Sequence, residues 1–176
     1  MSDNQPVNDP EVSAFVVGDN LLEENQHFRI FKIQNASTKL FATYPSSPPF
    51  GNGLGPIWIV ANKPTPNPTQ KWLIIGAGRD VHGHPLYMIR NVGKGFYAWS
   101  PEVPKKDQPV YAEELEKLWK ITHQRDGHFT ISPAPIGEQR FFWSQDDNNV
   151  VVLDPKVPDP VAEETRHWRL GALRGF

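Results

Sequence analysis

The sequence predicts an all-β domain of twelve short strands, arranged as three four-strand repeats and closed into a threefold barrel. Three observations carry that prediction. First, 18 prolines and 13 glycines are spread along the 176 residues. Proline removes a helical hydrogen bond and clashes with the turn before it, so no window for several helical turns survives except near Glu113–Ile121. Second, the runs between these punctuating residues are short and rich in aromatic and β-branched side chains, the composition of strands. Third, a polar-x-Trp-x-apolar pattern recurs at near-even spacing, at Gln70–Ile74, Lys117–Ile121 and Arg166–Leu170.

Taken in order, residues 1–26 read as an N-terminal arm, polar around one apolar patch at Val12–Val17, and residues 27–176 as the barrel domain. The first repeat holds Phe28–Ile33, Leu40–Tyr44, Ile57–Val60 and Trp72–Ile75. The second holds Tyr87–Ile89, Phe96–Trp99, Val110–Tyr111 and Leu118–Thr122. The third holds Phe129–Ile131, Phe141–Trp143, Val150–Leu153 and His167–Leu170. Alternation within Phe31-Lys32-Ile33, Tyr87-Met88-Ile89, Trp119-Lys120-Ile121 and Phe129-Thr130-Ile131 gives each strand one buried face. Each repeat opens alike, at Phe31–Asn35, Tyr87–Asn91 and Phe129–Ser132, passes a short loop to a second aromatic strand, and reaches its third through a longer Pro- or Asn-rich loop. Three blades are too few to close a propeller, and solenoid repeats are shorter or helical, so a barrel remains. Trp72, Trp119 and Trp168 then meet near its axis as core, while Trp58, Trp99 and Trp143 are less constrained and available to stack on a sugar ring.

Composition narrows the function. With 18 Lys+Arg against 20 Asp+Glu, the chain lacks the basic excess that neutralises many phosphates, which argues against nucleic-acid binding. No stretch approaches a membrane span, and residues 1–20 lack a secretory signal, so a cytoplasmic protein without membrane partners is expected. Zero cysteines exclude thiol catalysis, disulfides and Cys-based zinc sites. Gly76-Ala77-Gly78 imitates a dinucleotide-binding turn, but Gly83, Pro85 and a strand follow where a helix is required. His82 and His84 lack an evident third metal ligand. The acidic pairs Glu113/Glu114, Asp146/Asp147 and Glu163/Glu164 are adjacent residues pointing opposite ways on an extended chain, unsuited to two-carboxylate hydrolysis. No enzyme activity, cofactor or metal is expected.

The threefold barrel of aromatic repeats resembles the β-trefoil fold, and Gln70-x-Trp72 resembles the Q-x-W signature of ricin-B-like trefoils, the other two copies keeping only the Trp. A cysteine-free, Pro/Gly-rich trefoil of this size, with Tyr87-x-Ile89-x-Asn91, Pro109-Val110-Tyr111 and Trp119-x-Ile121, is similar to the fungal protease inhibitors of the mycocypin and mushroom serine protease inhibitor families. That resemblance implies a protease inhibitor of the serine or cysteine class. The turn Asn91-Val92-Gly93-Lys94 then supplies the side chain for the specificity pocket, Asn suiting legumain and Lys suiting trypsin. The proline-rich loop with Lys63, Pro64 and Asn67, together with residues 35–39, blocks papain-like enzymes. The loop Pro45–Pro56 lacks Lys and Arg, a departure from the trypsin-inhibiting relatives. The alternative is a carbohydrate-binding ricin-B-like lectin, for which Trp143, Asp146, Asp147 and Asn148 supply a stacking ring, carboxylates and an amide.

Overall fold

The structure, a computed structural model, describes residues 9–45, 57–124, 127–134, 140–155 and 165–173. The expectations placed on residues 46–56 and on Glu163/Glu164 lie outside the described residues. Strand β1 (Val12–Phe15) precedes three like groups. The first comprises β2 (Phe28–Asn35), β3 (Phe41–Thr43), β4 (Ile57–Trp58) with β5 (Val60–Asn62), and β6 (Trp72–Arg79). The second comprises β7 (Pro85–Asn91), β8 (Tyr97–Trp99), β9 (Gln108–Pro109) with β10 (Tyr111–Glu113), and β11 (Trp119–His123). The third comprises β12 (Phe129–Pro133), β13 (Phe141–Gln145), β14 (Val151–Pro155) and β15 (Trp168–Leu173). The chain is thus all-β as the proline and glycine spacing predicts, with a 3-10 turn at Pro68–Gln70.

The first and last strands of each group close a six-strand antiparallel barrel, in the cyclic order β2, β6, β7, β11, β12, β15 and back to β2. Its registers repeat three times. Trp72 lies opposite Phe31 of its own group and Asn91 of the next. Trp119 lies likewise opposite Tyr87 and Pro133, and Trp168 opposite Phe129 and Asn35. All three indoles are fully buried, and each donates its N–H to a carbonyl of its group's second strand: Trp72 to Ala42 at 2.8 Å, Trp119 to Ala98 at 2.9 Å, Trp168 to Trp143 at 3.0 Å. A buried donor without a partner is costly, so this bond fixes where the hairpin sits on the barrel.

The middle strands cap one end. Ile59 and Val110 interrupt β4/β5 and β9/β10 because their backbone groups leave the ladder for the axis. Ile59 N donates to Val110 O at 2.9 Å, Val110 N to Val151 O at 2.8 Å, and Val151 N to Ile59 O at 2.9 Å, a closed ring of three bonds. The second-strand positions that accept the indole bonds are Ala42, Ala98 and Trp143. Two alanines leave room near the axis, and the third position fills it: Trp143 is fully buried, edge-on to Trp119 at 5.4 Å and to Trp168 at 6.0 Å. This corrects its expected role as a sugar-stacking ring, since no face of it meets solvent.

The arm from Asp9 onward is built into the sheet. β1 pairs with β15, Val16 N donates to Leu170 O at 2.9 Å, and the Arg169 guanidinium lies 3.8 Å from the Phe15 ring centroid. Close approach requires Gly171, where an added Cβ would meet Val12 Cγ1 at 2.8 Å. Beneath the arm Lys32 is fully buried, its Nζ donating to Asp9 Oδ2 at 2.5 Å and Thr65 O at 2.9 Å and ion-paired with Glu11 Oε2 at 2.8 Å. A buried ammonium is tolerable only with such a partner set.

In the first and third groups the residue two before the tryptophan also has a common task. Gln70, fully buried, donates to Lys63 O and Thr43 Oγ1 and accepts from Thr65 N, stapling the loop after β5. Arg166, also buried, donates to Asp154 Oδ2 and Pro155 O, stapling the chain after β14. The third copy has changed the residue and kept the interaction.

Candidate functional site

Trp58, Pro109 and Val150 each precede one member of the axial ring Ile59, Val110 and Val151, so they stand at one position of the three groups. Their pairings agree: Trp58 faces Tyr111, Pro109 faces Val152, and Val150 bridges to Val60. With Asp107, Asp146, Asn148 and Val152 they line a cavity of about 320 Å³ on the barrel's threefold axis, at the hairpin end. The size falls at the lower limit for small-ligand pockets.

Backbone bonds fix the carboxylate of Asp146 and the main chain of Asp107. Asp146 Oδ1 accepts from Asn148 N at 2.9 Å and Val150 N at 2.8 Å, an Asx turn that fixes the carboxylate. Asn149 follows in the left-handed region at φ 61°, and its Oδ1 accepts from Gln145 Nε2 at 2.8 Å. Asp107, also left-handed at φ 58°, donates its N–H to Leu153 O at 2.9 Å. Trp58 is half-buried in β4. The arrangement presents an indole, two carboxylates and an amide around one hollow, which suits a polyhydroxylated ligand with an apolar face.

Of the four residues read from the sequence as sugar-binding, Asp146 and Asn148 line this cavity, Asp147 is exposed beside them, and Trp143 is core. Trp58 takes the aromatic role instead. Aligning the repeats by their axial residues would have shown it, because Trp58 stands where the other copies carry only Pro109 and Val150. Asp107 has no comparable sequence signal.

The loops read as protease-facing come together on another face. Asn91 is 1% exposed. Its Oδ1 accepts from Gly93 N and Lys94 N, and its Nδ2 donates to Thr69 O at 2.9 Å. This corrects its expected role in a specificity pocket: the side chain holds the turn, as Asn35 does in the first group by accepting from Ser37 N and Thr38 N. Val92, Gly93 and Lys94 are exposed, and the turn rests on the 3-10 turn, where a Cβ on Gly93 would lie 3.1 Å from Pro68 C. Asn67 caps that turn through Oδ1 to Thr69 N, Lys63 is exposed and Pro64 half-buried. A second hollow of about 220 Å³ lies between Ile30, Leu73, Arg90, Asn91, Val92 and Gly95. His82 and His84 sit in a turn organised by Asp80, which accepts from both backbone N–H groups; the Lys120 ammonium at 2.5 Å, above all, holds its carboxyl well below the usual range. Among the described residues no three His, Asp or Glu gather as a metal site.

The architecture is similar to that of several solved structures. The Rhizoctonia solani agglutinin matches with a TM-score of 0.65 at 14% identity, over 86% of this chain and 99% of that one. The Macrolepiota procera ricin B-like lectin, solved in complex with lactose, matches at 0.61 and 12% identity, over 86% and 99%. The designed threefold-symmetric protein ThreeFoil matches at 0.61 and 10% identity, over 82% and 99%. At these identities the likeness is one of fold. No protein-family model matches the chain, and no curated protein sequence matches it.

Proposed function

We propose that this protein is a glycan-binding β-trefoil domain, a lectin without catalytic chemistry of its own, whose site is the axial cavity. The fifteen strands count as the twelve of a trefoil, with β4/β5 and β9/β10 each one strand broken at the axial ring and β1 an addition from the arm. The observation that carries the reading is the convergence of Trp58, Asp107, Asp146 and Asn148 on one hollow. An indole face takes the C–H face of a pyranose, while carboxylates and an amide exchange hydrogen bonds with its hydroxyls. Because Asp146 is already fixed by two backbone N–H groups, little order remains to be imposed on binding. The fold shared with two lectins supports the reading. The competing protease-inhibitor reading loses its pocket-filling Asn91 to the turn and keeps Lys63 and Lys94 as exposed cations.

A glycan array probed with the labelled protein tests this, beside inhibition titrations against trypsin, chymotrypsin, papain and legumain. Reproducible glycan signal that Trp58→Ala abolishes is the expected result. A blank array, or stoichiometric inhibition of one protease without glycan binding, overturns it.

A further inference from the structure

The cavity does not end at Trp58. Directly opposite Trp58 on β10 is Tyr111, and opposite Tyr111 on β8 is Trp99, so three aromatic side chains stand in line across three paired strands. All three are half-buried, and the rings of Trp99 and Tyr111 lie 6.0 Å apart, tilted by 41°. The equivalent facing pairs in the other groups are Thr43 with Val60 and Ser144 with Val152. The barrel therefore needs nothing larger than a small hydroxyl residue and a valine there.

The surroundings differ in the same way. In the first group the loop before the fourth strand, residues 63–71, covers this position, and Gln70 bonds Thr43. In the third group Thr165 bonds Ser144. In the second group residues 114–118 join β10 to β11 directly, and the aromatic pair occupies the face that the other copies cover. Its rim is polar: Gln108 Nε2 donates to the Tyr111 hydroxyl at 2.7 Å, orienting the ring and leaving the phenol's own proton for an acceptor, and Glu113 follows on the same strand. Neighbouring strands are about 4.8 Å apart, so the row from Trp58 to Trp99 spans about 10 Å, the reach of two linked pyranose rings.

We propose that Trp58, Tyr111 and Trp99 form an extended subsite continuous with the axial cavity, and that the ligand is an oligosaccharide with one ring in the cavity and the next laid on Tyr111 and Trp99. This rests on the glycan-binding reading and adds chain length to it.

The test compares Trp99→Thr/Tyr111→Val, which installs the residues the first group carries, with the unsubstituted protein. Both are put on an array of mono- to tetrasaccharides, and calorimetry follows with galactose, lactose and the trisaccharide Neu5Acα2-6Galβ1-4GlcNAc, or with the best array glycan and its own terminal sugar. The unsubstituted protein should bind the longer glycan about tenfold more tightly than its terminal sugar, as one added stacking contact supplies. The double variant should bring that ratio near one, and Trp99→Phe should restore it. Thermal unfolding of each variant separates a lost subsite from a lost fold, and the single variant Trp99→Thr, which should also lower the ratio toward one, carries the test if the double variant does not fold. Equal affinity for long and short glycans in the unsubstituted protein overturns this inference while leaving the cavity intact. No glycan binding at all overturns both.

Discussion

Lys32 Nζ lies 2.5 Å from Asp9 Oδ2 in a pocket that exposes neither side chain appreciably, and this ion pair ties the arm to the barrel. Its neighbours are Glu11 at 2.8 Å and the Thr65 carbonyl, so arm, first strand and proline-rich loop meet on one ammonium. Removing one partner of a buried pair strands the other charge. Lys32→Met, which leaves the Asp9 carboxylate buried without its cation, is therefore expected to cost about 3 kcal/mol, and Asp9→Ala, which leaves Lys32 paired with Glu11, less than that. The double variant Asp9→Ala/Lys32→Met should recover most of the loss, because no uncompensated charge remains and Glu11 keeps Lys71 at 2.8 Å. Urea unfolding of the three variants checks the cycle.

The same cluster sets a pH dependence. Burial pushes the Glu11 carboxyl up, but hydrogen bonds from Lys32 and Lys71 and their charges outweigh it and hold the group below its ordinary value. A carboxyl lowered in the folded state contributes stability that is complete above its unfolded pKa and disappears as pH falls through the folded one. The arm should thus be fully anchored at pH 7 and loosen below about pH 4. Amide exchange at Val12–Phe15, followed from pH 7 to pH 3 with intrinsic rates corrected, should show protection falling there before it falls in β2.

Trp72, Trp119 and Trp168 make the same N–H bond to equivalent carbonyls, so they should respond alike to substitution. Trp→Phe at any of them leaves a buried carbonyl short of its donor and a cavity where the second ring stood, and about 3 kcal/mol is expected from the two effects. Trp143→Phe keeps the edge-on packing and loses no such bond, so it should cost less in the same urea series.

The barrel is legible in the sequence because its determinants are local and repeated: alternation, the three tryptophans and the aromatic openings. What stays hidden depends on partners far along the chain. β1 pairs with residues near the C-terminus, so nothing around Val12 announces a strand. Lys32 interrupts an apolar run with a charge, and only the arm folding over β2 explains its burial. Trp143 and Trp58 look equivalent until the copies are superposed. Trp143 then replaces two alanines that face the axis, whereas Trp58 replaces a proline and a valine that line an open hollow. Asp146 and Asn148, two of the four residues expected at a sugar site, line the hollow from a single turn, whereas Trp58 reaches it from another repeat.

Asn91 and Lys94 offer a sharp contrast within one turn. Asn91→Ala removes the acceptor for two backbone N–H groups and leaves Thr69 O without its side-chain donor, all at a nearly inaccessible site. A loss of about 2 to 3 kcal/mol is expected. Lys94→Ala removes an exposed cation and should change stability by no more than about 0.5 kcal/mol. Thermal unfolding of the two variants decides between a turn-holding Asn91 and one free to enter a partner's pocket, since the latter role requires Asn91→Ala to be as stable as Lys94→Ala.

The axial cavity draws on three groups of strands, so its residues should fail separately. Trp58→Ala removes the stacking face, and Asp107→Ala removes a carboxylate whose backbone, not its side chain, is what the structure ties down. Each should weaken glycan binding about tenfold or more, with Asp107→Ala lowering stability by about 1 kcal/mol at most, the cost of alanine at that left-handed backbone. Asp146→Ala should weaken binding and also lower stability by about 1 kcal/mol or more, because its Oδ1 bonds close the turn that carries Asn148. Asp146→Asn keeps that acceptor and removes the charge. If it restores stability but not binding, the carboxylate contacts the ligand; if it restores both, the residue serves the turn alone and the polar side of the site rests on Asp107 and Asn148.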